Sequence, residues 1–167
     1  MNFLKNIYIW TLKKAEHKNA KWYLSLISFA ESSFFPIPPD ILLIPMALAS
    51  KTKALFYAFI CTLSSVLGGV FGYAIGYFFF NSIGLYIVEF YHLENSFNIF
   101  ENYYKEFGIL IVLGAGITPF PYKFITIASG VFGLNIYLFV IVSIIGRGLR
   151  FYLIAILLYF FGEKIKL

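Results

Sequence analysis

The chain has 167 residues, of which 60% are hydrophobic and only 13% are charged, and its formal net charge is +5. Soluble domains carry about 25% charged residues, so this composition excludes an ordinary soluble enzyme. The basic residues flank apolar runs instead of forming one stripe, which argues against a nucleic-acid partner and for a membrane. We therefore expect one membrane domain over residues 1–167 and no enzymatic activity.

The first half of the chain predicts one surface helix and one repeat unit. Residues 1–21 mix apolar and basic positions, which is typical of an amphipathic helix on a membrane surface. Residues 22–80 form the first repeat. Within it, 22–50 is apolar but too rich in proline for one straight helix, so it predicts a re-entrant hairpin of two half-helices. The next stretch, 54–80, has no charged residue or histidine and exceeds the ~20 residues that cross a bilayer.

The second half of the chain predicts the same organisation again. A polar connection over 81–106 precedes a second repeat over 107–162. Its first part is interrupted by glycines and prolines and predicts a second re-entrant hairpin, and a turn at Gly133 leads into a spanning helix over 136–162. The predicted fold class is therefore all-α integral membrane, with two repeats that each combine a hairpin and a transmembrane helix.

The distribution of lysines predicts an orientation. If only 54–80 and 136–162 cross, nine lysines lie on one side, and the connection places Lys105 alone on the other. The positive-inside rule then puts both termini in the cytoplasm. We therefore expect a multi-pass protein of the bacterial cytoplasmic membrane.

Two short motifs carry the evidence for a repeat. Pro36-Ile37-Pro38-Pro39-Asp40 is followed 83 residues later by Pro119-Phe120-Pro121-Tyr122-Lys123, and both read Pro-x-Pro-x-charge. One crossing per unit makes the second copy inverted in the membrane, an architecture common among transporters. Chance is the alternative, because the motif is short and prolines are tolerated in membrane helices.

The charges near these motifs are opposite in sign. The first hairpin contains Glu31 and Asp40, whereas the second contains Lys123 and the helix after it contains Arg147 and Arg150. Each costs roughly 2.5–3.5 kcal/mol at membrane depth. Helix capping could explain an acid at the start of a half-helix, but a lysine there is unfavourable, which suggests an anion nearby. The arginines share one helix face and could alternatively reach the membrane interface.

Other residues predict little chemistry. The glycine face of Gly68, Gly72 and Gly76 is typical of helix packing. His92 has no second histidine near it, the chain has a single cysteine, and no nucleotide-binding glycine loop follows a strand. We therefore expect no metal site and no cofactor.

The stretch from Glu31 to Asp40 and the stretch from Gly116 through Lys123 to Gly130 resemble the DedA family of membrane proteins (the VTT or SNARE-associated type), most closely its YqaA-like branch. The resemblance implies two facing re-entrant hairpins and a role in moving lipids with proton coupling. It also implies that Glu31 and Asp40 are the acidic motif residues and that Lys123 replaces the second motif arginine. The first motif arginine falls on an uncharged position near Gly116, so Arg147 is the candidate to supply that charge.

The leading hypothesis is a lipid transporter or scramblase for an anionic, phosphate-bearing lipid. Lys123, Arg147 and Arg150 would bind the headgroup, while Glu31 and Asp40 would balance their charge and carry protons. The predicted hairpin tips contain the prolines Pro36, Pro38, Pro39, Pro119 and Pro121. A non-transporting protein that organises the membrane, with purely structural ion pairs, is the alternative, and a carrier of small ions or metabolites is a third. The lipid, the coupling ion and a homo-oligomeric state are left open.

Overall fold

The computed structural model describes residues 19–34, 37–92 and 94–165, and these residues form helices and turns without a strand. The predicted surface helix lies almost entirely outside the described residues, as does Pro36. The α-helices are α1 Ala20–Ser33, α2 Asp40–Ala49, α3 Ala54–Phe79, α4 Leu85–Phe90, α5 Glu94–Ile117, α6 Tyr122–Val131 and α7 Ile136–Ile165. The all-α prediction is confirmed for this part of the chain.

Among the described residues, two stretches are long and apolar enough to cross a membrane. The first covers Lys51–Phe90, 40 residues in which a short 3-10 turn, α3, a π-helical segment at Phe80–Gly84 and α4 follow one another. The second is Ile136–Phe161, 26 residues of α7. The first includes the predicted span 54–80, and the second matches the predicted span 136–162 except for its last residue.

The helix breaks lie at the proline motifs. Asp40 is the first residue of α2, directly after Pro39, and α6 begins at Tyr122, directly after Pro121. Proline fixes the backbone before a helix starts and lacks the N–H that an interior position needs. Asp40 and Lys123 therefore both lie in the first turn of a short helix, as predicted.

The polar connection over 81–106 is mostly helical, and its predicted boundary at residue 106 lies inside α5. Glycine and proline are absent from 95–107, so nothing local stops the helix there. An ion pair four residues apart, with 2.8 Å between Lys105 Nζ and Glu101 Oε1, supports the same turn.

The long helices α3 and α7 run antiparallel, and α1 begins beside the same end of α3 as that at which α2 ends. The ring of Tyr73 lies 5.4 Å from that of Phe139 near the start of α7, whereas Ser65, earlier in α3, contacts Arg147, later in α7. Ala20 at the start of α1 and Met46 near the end of α2 belong to one buried cluster with residues at the start of α3. The break between α1 and α2 therefore lies beside the middle of α3.

The predicted glycine face is confirmed as a packing surface. A Cβ atom at Gly68 would lie 2.1 Å from the carbonyl oxygen of Phe29 in α1, and one at Gly76 would lie 2.0 Å from that of Ile127 in α6. Both short helices can approach the α3 backbone only because these positions lack a side chain.

The two halves of the chain interleave. The first helix of each half packs on its own long helix, α1 on α3 and α5 on α7. The second helix of each half packs on the long helix of the other half, α2 on α7 and α6 on α3. This exchange brings the two helix breaks together between α3 and α7.

Candidate functional site

The two helix breaks line one cleft with a volume of about 190 Å³. Its walls contain four of the five predicted tip prolines and four of the five predicted charged residues. They are Glu31, Pro38, Pro39, Asp40, Pro119, Phe120, Pro121, Lys123 and Arg150. Residues more than 80 positions apart in sequence thus converge as the two motifs suggest.

Arg147 and Glu31 form a buried ion pair beside this cleft. Arg147 Nη2 donates a hydrogen bond to Glu31 Oε2, and the arginine is 1% exposed. The same carboxylate oxygen accepts the hydroxyl of Ser32 at 3.1 Å, and Oε1 accepts the backbone N–H of Tyr122 at 3.4 Å. Glu31 therefore joins α1 to both α6 and α7.

The rest of the Arg147 guanidinium is enclosed by α3, α6 and its own helix. Its Nε donates to Ser65 Oγ at 2.6 Å. Its carbon lies 4.9 Å from the ring centre of Tyr122 and 4.8 Å from that of Phe151, so two aromatic rings stabilise the cation through their π faces. The Tyr122 hydroxyl in turn hydrogen-bonds Ser143 at 2.6 Å.

The second ion pair lies in the cleft wall. Arg150 Nη2 donates to Asp40 Oδ2, and its Nη1 donates to the carbonyl oxygen of Thr118 at 2.6 Å. One arginine therefore holds the start of α2 and the second break together. The other carboxylate oxygen, Asp40 Oδ1, is buried and has no hydrogen-bond partner among the described residues.

Lys123 differs from the two arginines. It lines the cleft half-buried, and its Nζ lies 5.3 Å from the ring centre of Phe124. Within the described part of the chain, the ion pairs of Glu31 and Asp40 are with arginine, and Lys123 makes none. The five charges sum formally to +1, and after pairing this excess charge belongs to Lys123.

Two of the three predicted substrate-binding residues lie in the cleft, and the third lies outside it. Lys123 and Arg150 line the cleft, but Arg147 does not, because its side chain points beneath the wall to Glu31 and Ser65. The sequence predicts an anion near Lys123, and two carboxylates, those of Glu31 and Asp40, line the same cleft. Both carboxylates bind arginine, however, so they do not neutralise Lys123.

Several residues that hold the two arginines in place are not predicted as functional from the sequence. Ser65 and Tyr122 hold Arg147, and the Thr118 carbonyl holds Arg150. The available signals are a serine pair inside the apolar run of α3 and a tyrosine directly before Lys123 in the second motif. Among the described residues, no group of three or more histidine, cysteine or acidic side chains could hold a metal ion.

The described structure thus defines a class: an all-helical protein with two candidate spanning helices and a charged cleft where two helix breaks meet. An uncharacterized protein of Haemophilus influenzae is 36% identical to the chain over 164 residues, covering 98% of this chain and 85% of that protein. An uncharacterized HI0703 homologue of Histophilus somni has the same identity and coverage. The chain belongs to the family of these two proteins. No family model and no solved structure matches it.

Proposed function

We propose that the chain is a multi-pass protein of the bacterial cytoplasmic membrane in which α3 and α7 cross the bilayer. Large apolar side chains on the outer faces of both helices support this placement, among them Phe71 at 48% and Leu153 at 53% exposure. Surfaces of this kind are unfavourable in water and favourable against lipid tails. In this placement both termini lie in the cytoplasm, as the lysine count indicates.

In the same proposal, α1–α2 and α5–α6 are re-entrant hairpins of two inverted repeats. The boundaries of the helices support the repeat. Shifted by the 83 residues that separate the proline motifs, the end of α1 falls at 116, where α5 ends at Ile117, and the start of α3 falls at 137, where α7 starts at Ile136. The antiparallel arrangement of α3 and α7 is the one that inverted units require.

The proposed activity is translocation of an anionic, phosphate-bearing lipid across the membrane. One observation carries this proposal: Lys123 is a cation without an ion-pair partner among the described residues, in a cleft whose other charges are paired. A phosphate would supply the missing counter-charge, and hydrogen bonds between ionised groups are strong where the dielectric is low. Arg150, in the same wall, is the second candidate contact.

The size of the cleft restricts which part of a lipid enters. Its volume of about 190 Å³ is below the 300–1,000 Å³ of sites that enclose small molecules. A headgroup fits this proposal, with the acyl chains remaining outside against the apolar helix faces. This division, with the headgroup in the cleft and the acyl chains in the bilayer, is the scramblase-like arrangement that we propose.

The proposal extends to the DedA family, whose motifs the two helix breaks resemble. In that case Glu31 and Asp40 are the acidic groups that would exchange protons during transport, and Lys123 contacts the phosphate. Arg147 does not contact the substrate directly in this proposal, because its guanidinium already donates hydrogen bonds to Glu31 and Ser65. We propose that it fixes the position of Glu31.

The test is translocation of a fluorescent anionic phospholipid in vesicles that contain the purified protein. Lys123→Ala should lower the protein-dependent rate by about tenfold, as expected for loss of one charge-assisted contact of about 1.4 kcal/mol. Lys123→Arg, which keeps the charge, should retain most of the activity.

The matched control is Lys105→Ala, which removes a lysine with a 63% exposed side chain on α5. This variant should translocate lipid like the unaltered protein. A Lys123→Ala protein that is folded and translocates lipid at the unaltered rate would refute the assignment.

A second candidate function is a non-transporting protein that organises the membrane or its partners. The observation that favours it is that both arginines are occupied by carboxylates, which is the arrangement of a purely structural charge network. In that case the protein folds and inserts but produces no lipid translocation above that of empty vesicles.

A further inference from the structure

A second groove lies between α1 and α3, away from the charged cleft. It has a volume of about 250 Å³ and combines polar and apolar side chains. Its lining residues are Lys21, Trp22, Ser25, Ile60, Leu63 and Ser64. The hydroxyls of Ser25 and Ser64 are hydrogen-bonded to each other at 2.7 Å across its floor.

The groove has one polar end and one apolar side. Lys21 is exposed, and Trp22 is 66% exposed beside it. Leu63, with 51% exposure, and Ile60 form the apolar wall on α3. A cation and an indole at one end of an apolar wall are the features with which proteins contact a lipid headgroup and its acyl chain.

The groove lies toward the end of the bundle at which α3 begins. Ser25 is hydrogen-bonded to Ser64. Ser64 lies ten residues after Ala54, the first residue of α3, which corresponds to about 15 Å along the helix. Lys21 lies one turn earlier on α1, which runs parallel to α3, so its level is about 9 Å along α3. Lys51 and Lys53 precede α3 on the same side, so the groove opens at the lysine-rich end of the bundle.

We infer that this groove binds an anionic phospholipid of the leaflet on the lysine-rich side, with the phosphate at Lys21 and Trp22 and one acyl chain along Ile60 and Leu63. The charge of Lys21 selects an anionic headgroup, and the apolar wall selects a lipid over a free phosphate ion. This inference rests on the membrane placement proposed above, but it does not depend on transport at Lys123. The bound lipid is a resident of the α1–α3 interface.

Trp22 reports occupancy of the groove directly, because the chain contains only two tryptophans. In a full-length Trp10→Phe protein in phosphatidylcholine vesicles, brominated phosphatidylglycerol and brominated phosphatidylcholine are added in turn at the same fraction. Brominated phosphatidylglycerol should quench Trp22 with an apparent preference of about fivefold, which corresponds to the ~1 kcal/mol that one basic residue contributes near an anionic surface.

Lys21→Gln should remove this preference, whereas Lys53→Gln, which deletes the same charge at the same end but outside the groove, should keep it. Equal quenching by the two lipids, or equal loss of preference in both variants, would mean that only non-selective lipid or diffuse surface charge is sensed, and would overturn the inference. Lys123→Ala separates the two proposals: it should lower translocation by about tenfold and leave the preference at Trp22 unchanged.

Discussion

Arg147 on α7 and Glu31 on α1 form an ion pair across 116 residues of sequence, and α6 closes over it with the ring of Tyr122. The pair is nearly inaccessible, with side-chain exposures of 1% and 10%. It fixes the first helix break against the long helix of the second half. The cleft wall at Glu31 is therefore held by a contact with the buried Arg147.

Breaking this pair should destabilise the protein strongly. Arg147→Met leaves Glu31 without its counter-charge in a low-dielectric site, and loss of one partner of a buried pair costs about 3–5 kcal/mol. The single cysteine, Cys61, is buried, so its rate of labelling by a thiol reagent during detergent titration reports unfolding.

Two comparisons test this reading of the pair. Glu31→Gln combined with Arg147→Met should recover most of the loss, because no uncompensated charge remains. Lys105→Met breaks an exposed pair on α5 and should cost no more than about 0.5 kcal/mol. If Cys61 is labelled no faster in Arg147→Met than in Lys105→Met, the buried pair contributes little to stability.

Exchanging the second ion pair distinguishes a structural charge network from a binding site. Asp40→Arg with Arg150→Asp restores opposite charges across the cleft but places a carboxylate where Arg150 lines it. We expect labelling of Cys61 near the unaltered level and translocation reduced about tenfold or more, since a phosphate meets repulsion there. Full translocation by the exchanged protein would assign the pair a purely structural role.

The proline motifs, the glycine face and the positions of Asp40 and Lys123 at helix starts could be predicted from the sequence, because proline and glycine act locally. The partners of the charges could not. Arg147 and Arg150 are three residues apart on one face, yet a rotation of 60° between them directs one into the core and the other into the cleft. That rotation is set by the packing of α7 on α3, which no local pattern encodes.

The glycine positions should respond to alanine according to their surroundings. Gly68→Ala places a methyl group against the Phe29 carbonyl and should cost at least 1–3 kcal/mol, about the penalty for an overfilled core. Gly114→Ala is the matched change, because a Cβ there meets no atom within 4 Å. It should be neutral or stabilise α5 by up to about 1 kcal/mol. Thermal unfolding in detergent compares the two, and an equal effect would contradict the close approach of α1 to α3.

Tyr104 should make stability depend on alkaline pH. Its hydroxyl hydrogen-bonds Ser129 at 2.7 Å, and burial raises the pKa of Tyr104 to about 12. Because the folded-state pKa exceeds the ordinary value near 10, this contribution is complete below pH 10 and is lost as the pH rises from 10 to 12. The melting temperature measured by circular dichroism should therefore fall less steeply with pH in Tyr104→Phe than in the unaltered protein. Equal declines in the two proteins would indicate that the pKa of Tyr104 is the same in the folded and the unfolded state.

The most direct test of the central claim is to locate the headgroup itself. Vesicles containing the protein and an anionic phospholipid with a photoreactive group in its headgroup are irradiated, and the adducts are mapped by mass spectrometry. If the headgroup binds in the cleft, adducts form on the cleft wall at Pro119–Lys123 and around Arg150. They should be reduced about tenfold by Lys123→Ala and unchanged by Lys105→Ala. Adducts confined to the ends of the helices and unaffected by Lys123→Ala would contradict binding in the cleft.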